Sequence, residues 1–432
     1  MSPITIGLIG MLAFLFLAAL NIPLGFAFII VGFVGVIVLK GLGPGLALLG
    51  SIPYSLAASY SLSVFPLFVL MGEFAFNSGI GRDLYTTAYR WLGRFPGGLA
   101  LATMLGCTGF AACTGSSIAS AATMGSLAFP EMERFHYSRR LSTAVIATGG
   151  TLGILIPPST MFIVYGVITQ TSIGELFIAG ILPGLMLSFM YLTLVFIKCK
   201  LNPQLGPPGE RFSWKERIVS LSRVIGMLVL FSLIIGGLYF GIFTPSEAGA
   251  IGASGAFLIV VIRRRLTKPV LYDTLINSVR TTCFVMVVII GAMIFNVFLS
   301  ACGFGIALAG WVGSLPVSRY VILIFIVFMY IPLGAFMEAL SIVFLTLPFI
   351  FPIVIDLGFD PVWFGVIIII LLEMGVLTPP IGLNAYVVNG VTKVPLGEIF
   401  RGLTPFIIVM CLGIAILIAF PQISLFLPSL MR

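Results

Sequence analysis

Charge is what this sequence has least of. Only 8% of its 432 residues are Asp, Glu, Lys or Arg, there is one histidine, and 60% are hydrophobic. So few polar groups cannot solvate a globular exterior of that size, which excludes a soluble domain and leaves a membrane protein. Signatures of catalysis are missing too. No GxSxG, HExxH or Walker loop occurs, so the chain is expected neither to be an enzyme nor to pump at the expense of ATP. Cys107, Cys113, Cys199, Cys283, Cys302 and Cys411 form no CxxC pair and lie mostly in apolar segments, where they read as small core residues. The single histidine, His136, sits among Glu131, Glu133, Arg134, Arg139 and Arg140 and reads as part of a solvated loop.

What is abundant is apolar sequence in runs of about 17 to 25 residues, the length of a helix crossing a hydrocarbon core of about 30 Å. No period-2 alternation suggests a barrel, so the expected fold class is an all-α polytopic membrane protein. The first run, 4–20, lacks a basic leader and continues into a second apolar stretch; it reads as a retained helix. The net charge of +8 lies in short loops between runs. That is the pattern of the positive-inside rule and not of nucleic-acid binding.

The two halves match at an offset of about 220 residues. Asn21-Ile-Pro23 answers to Phe243-Thr-Pro245, and Trp91-Leu-Gly with Pro96 to Trp311-Val-Gly with Pro316. Ile156-Pro157-Pro158 answers to Thr378-Pro379-Pro380, and Gly174-Glu175 with Pro183 to Gly397-Glu398 with Pro405. Placing segments 82–94, 131–140, 198–223, 263–280 and 393–401 on the cytoplasmic side puts 19 of the 22 basic residues inside. Lys40, Arg319 and Arg432 then fall outside. Under that topology the repeats are antiparallel in the membrane, and both termini are periplasmic.

Ions at membrane depth need backbone or side-chain polar groups that regular helices do not offer. Two kinds of segment supply them in each half. The first is a helix broken by consecutive prolines, in 149–159 and again in 375–384. Proline removes amide donors and cannot continue a helix interior, so upstream carbonyls are freed and the following half-helix presents its positive end. The second is an apolar stretch with a small or polar centre: 97–130 around Cys113-Thr-Gly-Ser-Ser117, and 320–352 around Pro332-Leu-Gly-Ala-Phe-Met-Glu338. Topology requires each to enter and leave on one side, as a re-entrant helical hairpin. Glu73, Glu338 and Glu373 are intramembrane carboxylates, read either as proton carriers or as structural hydrogen-bonding groups.

Thr114-Gly-Ser-Ser117, Gly153-Ile-Leu-Ile-Pro-Pro-Ser159, Gly334-Ala-Phe-Met-Glu338 and Gly375-Val-Leu-Thr-Pro-Pro-Ile-Gly-Leu-Asn384 together resemble the large membrane subunit of tripartite ATP-independent periplasmic (TRAP) transporters, over essentially the whole chain. The resemblance implies an elevator-type Na⁺ symporter of the bacterial inner membrane. Its scaffold and arm helices would be 1–96 and 198–319, and its moving halves 97–197 and 320–432. It implies one Na⁺ at Ser116, Gly153, Ile156 and Pro158, and a second at Gly334, Gly375, Thr378 and Ile381, held mostly by carbonyls. Substrate is implied near Thr114, Ser117 and Asn384. No organic cofactor is implied.

Two partners follow from the same resemblance, a small four-helix membrane subunit and a periplasmic binding protein that delivers the substrate. The family's ligands are small organic acids such as C4-dicarboxylates, sugar acids, sialic acid or sulfonates. No Lys or Arg stands at either hairpin tip, so helix N-termini, hydroxyls and Na⁺ are expected to hold the anion. The competing readings are a stand-alone Na⁺/dicarboxylate or citrate symporter of a related elevator fold, and a passive channel.

Overall fold

A computed structural model describes residues 2–20, 22–314 and 316–431. Asn21 of the first motif match and Arg432, assigned outside by loop charge, lie outside the described residues. Those described form helices joined by short turns, with no strand among them. The first half runs α1 Pro3–Ala19, α2 Leu24–Lys40, α3 Leu42–Ala57, a short 3-10 turn Tyr60–Ser63, α4 Val64–Asn77, α5 Ile80–Leu92, α6 Gly98–Thr114, α7 Ser117–Arg134, α8 Arg139–Leu155, α9 Thr160–Thr169 and α10 Ile173–Leu201. The second runs α11 Trp214–Tyr239, α12 Pro245–Ile262, α13 Lys268–Ala301, α14 Phe304–Gly313, α15 Arg319–Phe336, α16 Ala339–Asp356, α17 Pro361–Gly375, α18 Leu383–Thr392, α19 Leu396–Ala419 and α20 Gln422–Ser429. Among the described residues eight helices are long and apolar enough to cross a membrane, or nine if α8 and α9 count as one bent span.

Three of these exceed the 17 to 25 residues expected from the sequence. α11 has 26 residues, α10 has 29 and α13 has 34, the last about 51 Å at 1.5 Å per residue. The first turns of α13 carry Lys268, Asp273 and Arg280, which extends the helix beyond any apolar layer before its hydrophobic stretch begins. The cysteine expectation also needs correction. Four of the six are buried, but Cys283 and Cys411 are exposed, because α13 and α19 turn those faces outward.

The molecule is knit together by close backbone approach. α2 packs along α13 and α12 along α4. On the first seam glycine is what allows the distance: a Cβ on Gly32 would lie 2.7 Å from the Phe295 backbone nitrogen, and one on Gly25 would lie 2.8 Å from Val287 Cγ1. Helices in lipid gain little from burying apolar surface against each other, so van der Waals contact through small residues has to hold them. Phe14, Phe28 and Phe295 close the seam, with Phe14 and Phe28 stacked at 4.3 Å.

α8 and α17 have no exposed face along their apolar lengths. Every residue from Leu141 to Leu155 and from Val362 to Gly375 is buried, as expected for a helix surrounded by protein. α8 runs into the buried pair Pro157–Pro158, whereas α17 ends at buried Gly375 and the chain then comes to the surface at Pro379 and Pro380.

Replacing Gly32 with Leu is expected to force α2 from α13 and to cost about 1–3 kcal/mol, the usual penalty of overpacking. Gly236→Ala, on a helix with nothing within 4 Å of the new carbon, is expected to be neutral or slightly stabilising. Thermal unfolding of the two variants in detergent, read by intrinsic fluorescence, checks this.

Candidate functional site

α6 ends at Thr114, where Gly115 takes φ +58°, and Ser116 restarts the chain in an extended conformation. The Ser116 hydroxyl accepts from the Ala119 amide at 3.3 Å and caps α7. Facing this tip, α8 stops at Leu155 and the chain passes through Ile156 and the cis Pro157–Pro158 bond before Ser159 caps α9. The two halves of this span bend by 42°.

Tip and break are in direct contact. The Thr160 hydroxyl donates to the Gly115 carbonyl at 2.9 Å. A Cβ on Gly115 would sit 3.0 Å from the Pro158 carbonyl oxygen, and one on Gly153 would sit 2.7 Å from that of Ser116. The side chain of Ile156 packs over Gly184 of α10, so only its backbone is free to face the tip. Ser116, Gly153, Ile156 and Pro158 therefore lie in one place, with carbonyl oxygens as the available groups.

The second pair is built alike. α15 runs past Pro332 to Phe336, and the chain is extended at Met337 and Glu338 before α16. The tip thus falls at the C-terminal end of the 332–338 segment singled out from the sequence. α17 ends at Gly375, and the chain turns through the cis Pro379–Pro380 bond to Gly382 at φ +57°. Gly334 and Gly375 meet backbone to backbone, a Cβ on the former falling 2.6 Å from Cα of the latter. The Ile381 amide donates to the Ala335 carbonyl at 3.3 Å. Thr378 donates its hydroxyl to the Met374 carbonyl at 2.7 Å, which leaves the oxygen's lone pairs for a cation. Gly334, Gly375, Thr378 and Ile381 are again neighbours.

Between the two pairs and the helices α4 and α13 lies a cavity of about 480 Å³. Thr114 and Ser117 line it, as does Ser116. Asn384 does not. It is fully buried behind the wall, its Nδ2 donates to the Ala147 carbonyl on α8 at 3.2 Å, and its Oδ1 has no partner. The rest of the wall is mostly apolar, but Glu73 from α4, Glu338 from the second tip and Glu373 from α17 line it too, and among the described residues no Lys, Arg or His does. Glu373 is 2% exposed and stands beside Ser117.

Two lining residues were not anticipated. Asn277, beside Glu73, and Thr281 come from α13. Their i, i+4 spacing puts them on one helix face, a polar pair at the entrance to a long apolar run, and that was the available signal.

The family described as the DctM component of the tripartite ATP-independent periplasmic transporter matches residues 11–423. The chain is 36% identical over 371 residues to the C4-dicarboxylate TRAP transporter large permease protein DctM of Pseudomonas aeruginosa, covering 86% of each chain. It is 31% identical over 414 residues to the sialic acid TRAP transporter large permease protein SiaM of Vibrio cholerae, covering 95% of each. It is 34% identical to the isethionate TRAP transporter permease protein DctMQ of Oleidesulfovibrio alaskensis, covering 89% of this chain and 63% of that one. Among solved structures, the Alcanivorax borkumensis YdaH transporter superposes with a TM-score of 0.61 at 14% identity over 89% of each chain, a likeness of fold. These relatives are permeases and not enzymes, and the chain belongs with them to the DctM family of TRAP transporter large permease subunits.

Proposed function

We propose that this chain is the Na⁺-coupled permease subunit that moves a small organic acid across the bacterial inner membrane after a periplasmic binding protein has delivered it. The observation that carries the coupling is the cavity lining, which among the described residues holds Glu73, Glu338 and Glu373 and no Lys, Arg or His to neutralise an organic acid. Burying an anion without a counter-charge is costly, so an organic anion enters such a cavity in the company of cations. The carbonyl clusters at Ser116, Gly153, Ile156 and Pro158 and at Gly334, Gly375, Thr378 and Ile381 are suited to Na⁺, a hard cation that takes oxygen ligands. The substrate's acid group lies at Thr114 and Ser117, which face the cavity, while Asn384 acts from behind the wall by tying α18 to α8.

The element order supports reading the two halves as inverted repeats. Residues 97–197 and 320–425 each hold a hairpin, a broken helix and a long helix and would move together as an elevator, while the seams of α2 with α13 and α4 with α12 stay with the scaffold. Exposed apolar residues on α1 and α11, among them Leu12, Phe16, Ile225 and Val229, suit lipid and a small four-helix membrane subunit. The isethionate relative is named DctMQ and is longer than this chain, in keeping with a second membrane component. Relatives are named for C4-dicarboxylate, sialic acid, isethionate and 2,3-diketo-L-gulonate, which sets the class of acid to test.

Reconstituted with its small subunit, the chain is expected to accumulate one of these acids only when Na⁺ and the cognate binding protein are both outside. Uptake without the binding protein would instead support a stand-alone symporter, and flux indifferent to the Na⁺ gradient would support a channel. Thr378→Val removes one oxygen ligand and is expected to raise the half-activating Na⁺ concentration about tenfold, equivalent to about 1.4 kcal/mol. An unchanged Na⁺ activation curve would remove Thr378 from the site.

A further inference from the structure

We propose that Arg82 and Arg265 form an anion-receiving mouth through which the substrate's carboxylate or sulfonate leaves the central cavity. This rests on the organic-anion reading and on the orientation that places segments 82–94 and 263–280 in the cytoplasm. A second cavity, about 430 Å³, lies between α4, α5 and α7, and both arginines line it. Phe76 and Ala122 line this cavity and the central one alike, so the two adjoin along α7, away from the hairpin tip.

The two guanidinium groups are free to receive an anion. Among the described residues neither forms an ion pair. Asp83, next to Arg82 in the chain, is taken by Arg263, which also donates to the Arg223 carbonyl at 2.6 Å. Arg265 lies against Gly79, where a Cβ would fall 2.6 Å from its Cζ, and Gly79 has φ +74°. Glycine there turns the chain from α4 into α5 and leaves room for the guanidinium at the cavity's edge. The positive-inside rule accounts for basic loops, but not for this seat.

The corresponding place in the second half lacks the feature. Where α13, α14 and α16 meet, in the same order of elements, a cavity of about 510 Å³ is lined by Asn296, Ser300 and Asp356 and, among the described residues, by no basic one. Once Na⁺ departs, the described lining of the central cavity offers the anion no basic counter-charge, and the adjoining cavity at Arg82 and Arg265 supplies one. The field along this path favours release to one side.

The test uses the full complex in proteoliposomes, with [14C]succinate as probe, or [35S]isethionate should the wild type accumulate that acid. Arg82→Ala/Arg265→Ala is expected to lower the maximal uptake rate about tenfold, within the usual range of electrostatic steering, while half-activating Na⁺ and the binding-protein requirement stay unchanged. Arg82→Lys/Arg265→Lys is expected to keep most of the rate. Raising the lumenal concentration of an impermeant salt is expected to slow the wild type and not the double alanine variant. Wild-type rates in the alanine variant, or a lysine variant as impaired as the alanine one, would overturn the proposal. So would an alanine defect that disappears in liposomes without anionic phospholipid, since the arginines would then be holding a lipid headgroup. A wild type that accumulates none of the acids fails earlier, on the function itself.

Discussion

Every unpaired backbone group at membrane depth has to be satisfied by the protein or by what it carries, and the architecture follows from meeting that constraint at two places. α8 and α17 are buried on all sides and each is followed by a cis proline pair, the first buried and the second exposed. Turns take up some of the terminal carbonyls, as where the Thr378 amide donates to the Gly375 carbonyl. The hairpin tips complete these ends: Gly115 and Ser116 against Gly153 and Pro158, Gly334 and Ala335 against Gly375 and Ile381. Glycine at the contacts allows main chain to meet main chain, which brings carbonyl oxygens together at both places.

On the proposed reading, the cavity and the carbonyl clusters beside it form one electrostatic system. A lining without a basic residue among those described is hostile to an organic anion, and the clusters would take the cations that make the anion acceptable. Coupling would then need no dedicated switch, because substrate and cations would each lower the cost of the other's presence. Such reciprocity is the thermodynamic definition of coupled binding.

Much of this was legible in the sequence because it depends on local chemistry. Two Pro-Pro pairs in register mark where helices must break, and Thr114-Gly-Ser-Ser117 between apolar runs marks a tip. Gatherings that depend on tertiary packing were not legible. Glu73, Glu338 and Glu373 lie in separate helices, and only the fold brings them to one cavity. Asn277 and Thr281 are polar residues on a helix long enough to hide them, and the outward turn of Cys283 and Cys411 depends on which face of α13 and α19 the neighbours cover. Asn384 belongs to a telling motif, but its burial against Ala147 could be read only from packing.

The central claim is that cations accompany the acid, and the zero-flux point of transport tests it most directly. In proteoliposomes, the acid gradient at which net tracer flux vanishes is measured while the Na⁺ gradient and the membrane potential are varied separately. The account predicts that this point moves with the square of the Na⁺ ratio or more steeply, as the two proposed Na⁺ sites would require, and with the potential according to the net charge carried. A zero-flux point that ignores the Na⁺ gradient would contradict it.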